Sequence, residues 1–153
     1  MEHQIVVFSI DQEHFGLNIS AVESIIKVLT ITKLPHSPRF VEGVTNLRGN
    51  VLPVVDLRKR LNLPLKEIDA SSRIIVVTVG AMEVGMIVDG VSEVMTVSDD
   101  LISPLPAIVS TTKSSFITGV AKVKDTLIIL LDLSQVLSAR EKTALQKISS
   151  VAT

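Results

Sequence analysis

The residues of this chain best equipped for metal or acid–base chemistry are three histidines, His3, His14 and His36, and their spacing supports neither. They form no HxxxH pair, and no carboxylate pattern completes a ligand set around them. All three are expected at surface or turn positions. Asp99-Asp100 opens a loop containing proline and serine, which is a weak metal signal without further oxygen ligands. No GxSxG elbow, GxGxxG turn or GxxxxGK[ST] loop occurs, and Gly80, Gly85 and Gly90 are spaced like turns and bulges between strands. No catalytic residue, metal or cofactor is expected, and enzymatic activity is disfavoured. The one polar constellation that stands out is in GVTNLRGNVLPVVDLR, residues 43–58, where Asn46, Arg48, Gly49 and Asn50 interrupt an apolar run that resumes and stops on Asp56. Its chemistry is recognition: a basic apex on a turn, which serves either solvation or the binding of a partner.

The elements that must carry these residues are short and β-branched. Period-two apolar segments occur at 5–10, 14–19, 51–55, 73–79, 83–88 and 126–131. Turn residues separate them at regular spacing, and long helical patterns are missing, which predicts a mainly β chain of small barrels or sandwiches. Ser37-Pro38 predicts a short helix RFVE ending at Gly43, followed by strands Val44–Leu47 and Val51–Val55 around an Arg48-Gly49-Asn50 turn. Leu57, Arg58 and Leu61 predict a short helix capped by Asp56. Gly16 and Gly85 are expected at bulges or bends. The tail, SAREKTALQKI, has helical spacing and is expected to form a C-terminal helix over about 138–149.

Composition narrows the class. Lys and Arg total 15 against 16 Asp and Glu, a net charge of −1, so the chain does not attract polyanions. Trp and Tyr are absent and four Phe remain, which argues against stacking platforms for nucleic acid. Hydrophobic residues make up 46 %, yet no apolar run approaches the roughly 20 residues of a membrane span. The first residues, MEHQIVVFSI, lack a basic region and cleavage site, so no signal peptide is expected. Cysteine is absent, which excludes thiol chemistry and disulfides. The expectation is a soluble, cytoplasmic protein with no direct membrane insertion.

An internal repeat organises the chain. Residues 4–26 overlie 73–95 at an offset of 69, and 40–61 overlie 116–137 at an offset of 76. Identities include Gly16/Gly85, Phe40/Phe116, Gly43/Gly119, Asp56/Asp132 and Leu57/Leu133. The longer second offset places seven extra residues within 98–115 of the second copy. Two copies of one β unit are joined by KEIDASS, 66–72, a linker short enough to imply packed halves. Subdomain one is expected over about 11–70 and subdomain two over about 71–137. The strand at 4–10 either completes its own unit or joins the second.

The stretch FVEGVTNLRGNVLPVVDLRKRL resembles the signature of the CheW family, the coupling proteins of bacterial chemotaxis, and the resemblance extends through EHFGLNISAVESI, VGMIVDGVSEV and TGVAKVKDTLIILLDL, roughly residues 4–140. It implies two packed five-stranded Src-homology-3-like β-barrels with a hydrophobic groove between them. It further implies a non-enzymatic adaptor that binds chemoreceptor cytoplasmic hairpin tips and the regulatory domain of the histidine kinase CheA. The resemblance places partner-binding groups on Val22, Ser24 and Ile25 and on the turn Asn46, Leu47, Arg48 and Gly49. Many relatives have a glutamate directly before the isoleucine matching Ile25; here that position is Ser24 and the acid is Glu23, so Glu23 is not assigned the role. An excess of Val, Ile and Leu would supply the apolar docking surface. Three alternatives fit less well: a kinase regulatory domain cut out as a fragment, which the Met1 start and the absence of an ATP-binding region disfavour; a coupler of a type IV pilus or surface-sensing system; and a small-ligand-binding β-barrel.

Overall fold

β-Branched residues at alternating positions make most of the chain extended, and the strands pair into two sheets. The computed structural model describes residues 2–35, 41–60, 63–64, 67–79, 82–104 and 117–132, with the side chain of Arg60 left aside. The strands are β1 (Glu2–Ile10), β2 (Glu13–Asn18), β3 (Val22–Lys27), β4 (Val41–Leu47), β5 (Asn50–Asp56), β6 (Arg73–Val79), β7 (Met82–Val88), β8 (Gly90–Ser98), β9 (Ile102–Ser103), β10 (Ile117–Val123) and β11 (Thr126–Leu131). One short helix, α1 (Leu57–Arg60), follows β5. No helix among the described residues is long and apolar enough to cross a membrane.

The first sheet, A, has the order β8-β1-β2-β11-β10-β9, and the second, B, the order β3-β6-β7-β5-β4. The repeat makes these orders equivalent, since β1 to β5 correspond to β6, β7, β8, β10 and β11. Each sheet therefore combines the opening hairpin of one copy with the remaining strands of the other. β1–β2 of the first copy pairs with β8 and, in parallel, with β11 of the second. β6–β7 of the second copy pairs with β3 and, in parallel, with β5 of the first. Against the expected spans of about 11–70 and 71–137, residues 13–18 lie in sheet A and 73–88 in sheet B, so each sheet draws strands from both spans. The strand at 4–10 joins sheet A. At the sheet edges, the chain leaving β3 returns to β4, where Thr32 and Val44 exchange backbone bonds of 2.8 and 2.9 Å. In sheet A, β9 follows β8 by a single turn and pairs with β10 through Ser103 and Val120.

Exchange of hairpins creates three layers of core. Ile5, Val7, Val97, Ala121 and Ile128 pack within sheet A, and Leu52, Val54, Ile74, Val76 and Ile87 within sheet B. Between the sheets, Phe8, Ile10, Phe15 and Leu17 of A meet Ile75, Val77, Val84 and Met86 of B, with the Phe8 and Phe15 rings stacked 5.8 Å apart. Strands β1 and β6 are buried on both faces, which explains their unbroken apolar sequences. Each such side chain contributes about 1.5–3 kcal/mol on burial.

Glycines stand where backbone or side chains cross. The ladders β1–β2 and β6–β7 pass through Gly16 and Gly85 without a register shift, so the expected bulge is absent. What these residues supply is room: a Cβ on Gly85 would lie 2.9 Å from Ile74 Cγ2, and one on Gly16 3.1 Å from Ile128 Cγ2. Gly43 has φ +151, and a Cβ there would reach 2.2 Å from the Thr32 carbonyl oxygen, closing off the approach of the returning chain. The repeat identity Gly43/Gly119 has this cause, since a Cβ on Gly119 would likewise lie 2.9 Å from Ser103 O. Val41 and Glu42 belong to β4 rather than to the expected helix RFVE, and the bulge at Gly43 lets the strand begin earlier. The remaining residues of that expected helix, the HSP segment with His36, the loop 105–116 and the C-terminal helix over 138–149 lie outside the described residues.

Two carboxylate clusters hold the connections. Arg58 is buried, 4 % exposed, and its fork spans both sheets. Nε donates to Asp89 Oδ1 at 3.0 Å, Nη2 pairs with Asp89 Oδ2 and with Asp11 Oδ1 (2.6 Å), and Nη1 donates to the Pro64 carbonyl at 2.6 Å. Asp89 also accepts from the Asp11 N–H at 2.7 Å, while its own N–H donates to Ser9 O. The β1–β2 turn of sheet A is thereby tied to α1 and to the end of β7 in sheet B. Asp56, as expected, caps α1 by accepting from the Arg58 N–H at 2.9 Å. Burial pushes the Asp56 carboxyl above its ordinary 3.8, against that hydrogen bond, which lowers it.

Removing Arg58 takes the cation away from a mostly buried Asp89. Arg58→Ala is expected to cost about 3–5 kcal/mol in urea unfolding, and Asp11→Ala, at the half-exposed end, about 1 kcal/mol or less. Equal small losses would show that the fork does not join the sheets. For Asp56, a folded pKa above the unfolded one means ionisation costs stability, a cost that builds as pH rises from 3.8 through the folded value. Asp56→Asn keeps the acceptor and drops the charge, so at neutral pH it should melt at or above the wild type, with the difference shrinking toward acid pH. Asp56→Ala loses the cap and about 1 kcal/mol. A lower melting point for Asp56→Asn at neutral pH would contradict the sign.

Candidate partner-binding surface

A β-strand alternates its side chains, so Val22 and Ile25, three apart, belong on opposite faces unless the strand is broken. β3 is broken at Glu23. Val22 pairs with Val77 and Ser24 with Val76, leaving Glu23 as the extra residue of a bulge. Beyond it Ile25 pairs with Ile75. Val77 and Ile75 both belong to the inter-sheet core, so the bulge turns Val22 and Ile25 to the same side, along the rim of that core. Val22 is half-buried against it, and Ile25 remains 39 % exposed. Ser24 faces the other way with Ile26, and its Oγ is buried. Ser24, expected among the contact residues, thus keeps only part of its surface exposed. Glu23, which was not assigned a role, is exposed together with Ile25 and Lys27.

The turn residues sit on the opposite edge strand of sheet B. Leu47 and Asn50 close the β4–β5 ladder, leaving a two-residue loop of Arg48 and Gly49, one residue shorter than expected. Both loop residues have positive φ, +52 and +86, the pattern of a tight hairpin whose twist matches the strands. Asn46 Oδ1 accepts from the Gly49 N–H at 2.8 Å. Asn46, Arg48 and Gly49 are exposed, and Arg48 makes no ion pair with another described residue. Leu47 instead packs, partly buried, against the sheet B core. Of the seven expected site residues, Ile25, Asn46, Arg48 and Gly49 face solvent, and Val22, Ser24 and Leu47 are partly or largely turned inward.

The second copy repeats the arrangement in sheet A. Val91 and Glu93 flank a bulge opposite Phe8 and Val7, and Val94, the counterpart of Ile25, is 51 % exposed. Lys124 takes the place of Arg48 with φ +55. This second rim and tip were not singled out as a site by sequence reasoning. The signal was available in the offset of 69, which pairs Ile25 with Val94.

The remaining candidates have local partners. His3 pairs with Asp99, whose carboxyl is held below its ordinary range chiefly by that hydrogen bond. Asp99-Asp100 form a single turn capped by Ser98. Among the described residues, no group of three or more His, Asp or Glu side chains is placed to hold a metal ion.

Comparison with known proteins agrees with this architecture. The sequence profile of the CheW-like domain matches residues 4–141. The chemotaxis protein CheW of Rhizobium meliloti (strain 1021) is 39 % identical over 141 residues, covering 92 % of this chain and 91 % of that protein. Chemotaxis protein CheW of Bacillus subtilis (strain 168) is 37 % identical over 134 residues, covering 88 % and 86 %. The crystal structure of scaffolding protein TtCheW from Thermoanaerobacter tengcongensis superposes with a TM-score of 0.84 at 39 % identity, covering 92 % of this chain and 96 % of that one. With its duplicated, hairpin-exchanged sheets and the GVTNLRGNVLPVVDLR stretch folded as a strand, tight turn, strand and capped helix, the chain belongs to the CheW family.

Proposed function

We propose that the chain is a non-enzymatic adaptor of bacterial chemotaxis, working in the cytoplasm at receptor arrays, that couples the hairpin tip of a chemoreceptor to the regulatory domain of the histidine kinase CheA. The observation that carries this reading is the bulge at Glu23. It aims Val22 and Ile25 along the rim of the inter-sheet core, on a sheet whose other edge carries the exposed Arg48 apex. An apolar rim suits the apolar face of a helix laid against it, and a cation at the apex adds orientation. Relatives named chemotaxis protein CheW, and a neighbour described as a scaffolding protein, support the same role. Aromatic anchors are scarce, so affinity comes from distributed aliphatic contact.

Reconstitution of a cognate receptor fragment and kinase with the protein should raise receptor-controlled autophosphorylation and bring all three into one sedimenting complex. Equal phosphorylation with and without the protein, and no co-sedimentation, would reject the adaptor. Arg48→Asp and Ile25→Asp should each weaken binding by about tenfold while leaving the melting temperature close to wild type, since both positions are exposed. Undiminished binding by folded variants would reduce the apex and rim to ordinary surface.

A further inference from the structure

A two-residue hairpin loop leaves its own N–H groups outside the strand ladder. In the β4–β5 hairpin the ladder closes at Leu47 and Asn50, so Gly49 must find another acceptor or water. Asn46 supplies it, Oδ1 lying 2.8 Å from the Gly49 nitrogen. The bond reaches across the reversal of the chain, and so depends on the left-handed backbone of Arg48 and Gly49. Gly49 is required for its dihedral rather than for space, because a Cβ there would meet nothing within 4 Å. Arg48 has no such freedom, and its φ of +52 is unfavourable for a residue with a Cβ.

The repeat contains its own comparison. At the offset of 76, Lys122 stands where Asn46 does, and an ammonium has no acceptor to offer. The β10–β11 turn keeps the ladder closure, Val123 with Thr126, and positive φ at Lys124. Asp125, in the place of Gly49, is not in the left-handed region. One tip is held by a side chain, and the other is not.

We infer that Asn46 is a positioning residue: it acts on a partner through Arg48, by holding the loop that presents the guanidinium, and not through a contact of its own. The inference rests on the reading of this tip as partner-binding. Pre-ordering the loop lowers the cost of docking it, so the staple strengthens binding without adding an intermolecular bond.

The test uses the full chain and a cognate receptor hairpin fragment, with affinity measured by calorimetry and Gly49 amide exchange by NMR. Asn46→Ala should weaken binding about three- to tenfold, the share of one hydrogen bond, and should speed Gly49 exchange. Asn46→Asp should restore both, because a carboxylate oxygen takes the place of the amide oxygen. The double variant Asn46→Ala/Arg48→Ala should bind no more weakly than Arg48→Ala alone. If Asn46→Asp loses as much affinity as Asn46→Ala, or if the two single losses add in the double variant, Asn46 touches the partner itself and the inference is overturned. Unchanged Gly49 exchange in Asn46→Ala overturns it without any partner. Undiminished binding by folded Arg48→Ala removes the partner-binding reading of the tip and the inference with it.

Discussion

The architecture depends on the exchange of opening hairpins between the two halves of a duplicated chain. A free β1–β2 hairpin would expose Phe8, Ile10, Phe15 and Leu17 on one face and Ile5 and Val7 on the other. Placement between β8 and β11 covers both faces, one by the sheet's own interior and one by the opposing sheet. The same holds for β6–β7 in sheet B. Each opening hairpin is buried among strands of the other copy, so the two sheets are parts of one cooperative unit rather than independent modules.

Arg58 gives that unit a fixed relative placement of its sheets. Apolar layers are tolerant of sliding, whereas a forked cation shared by Asp89 and Asp11 is satisfied in one geometry. The cluster has no counterpart in the repeat: Ser134 aligns with Arg58, Gly80 with Asp11 and Ser20 with Asp89. Duplication thus supplies the two sheets, and a feature unique to the pairing of copies locks them at one end. The rims at Val22/Ile25 and Val91/Val94 border the same inter-sheet layer, so their separation is set by its packing and by this fork.

Much of this was legible in the residues. Strands buried on both faces, such as RIIVVTV at 73–79, announce themselves by unbroken β-branched runs. The hairpin at Arg48-Gly49, the cap at Asp56 and the short helix after it follow from local chemistry that needs no tertiary partner. The edge strands β3 and β8 were harder, because a bulge breaks the alternation by which a strand is recognised. The same bulge turns the Ser24 hydroxyl inward and leaves Glu23 exposed, since counting by twos fails across an extra residue. Leu47 looked like part of an exposed turn, yet it is the last residue before the loop and packs inward. Val41 and Glu42 read as helix from the Ser-Pro signal upstream, and strand pairing with Val55 prevailed.

The amino-acid sequence alone determined the β class, the duplication and the turn chemistry of the Arg48 apex. These depend on side-chain periodicity and on interactions between residues a few positions apart. Tertiary structure decided which hairpin enters which sheet, that Arg58 is buried between Asp11 and Asp89, and that Val22 and Ile25 share a rim. The two copies have nearly the same apolar pattern, so a β hairpin of either fits either sheet as far as hydrophobicity goes. What distinguishes the observed pairing is a non-local term, the satisfaction of the buried Arg58 by Asp11 and Asp89, which no local window of the chain contains.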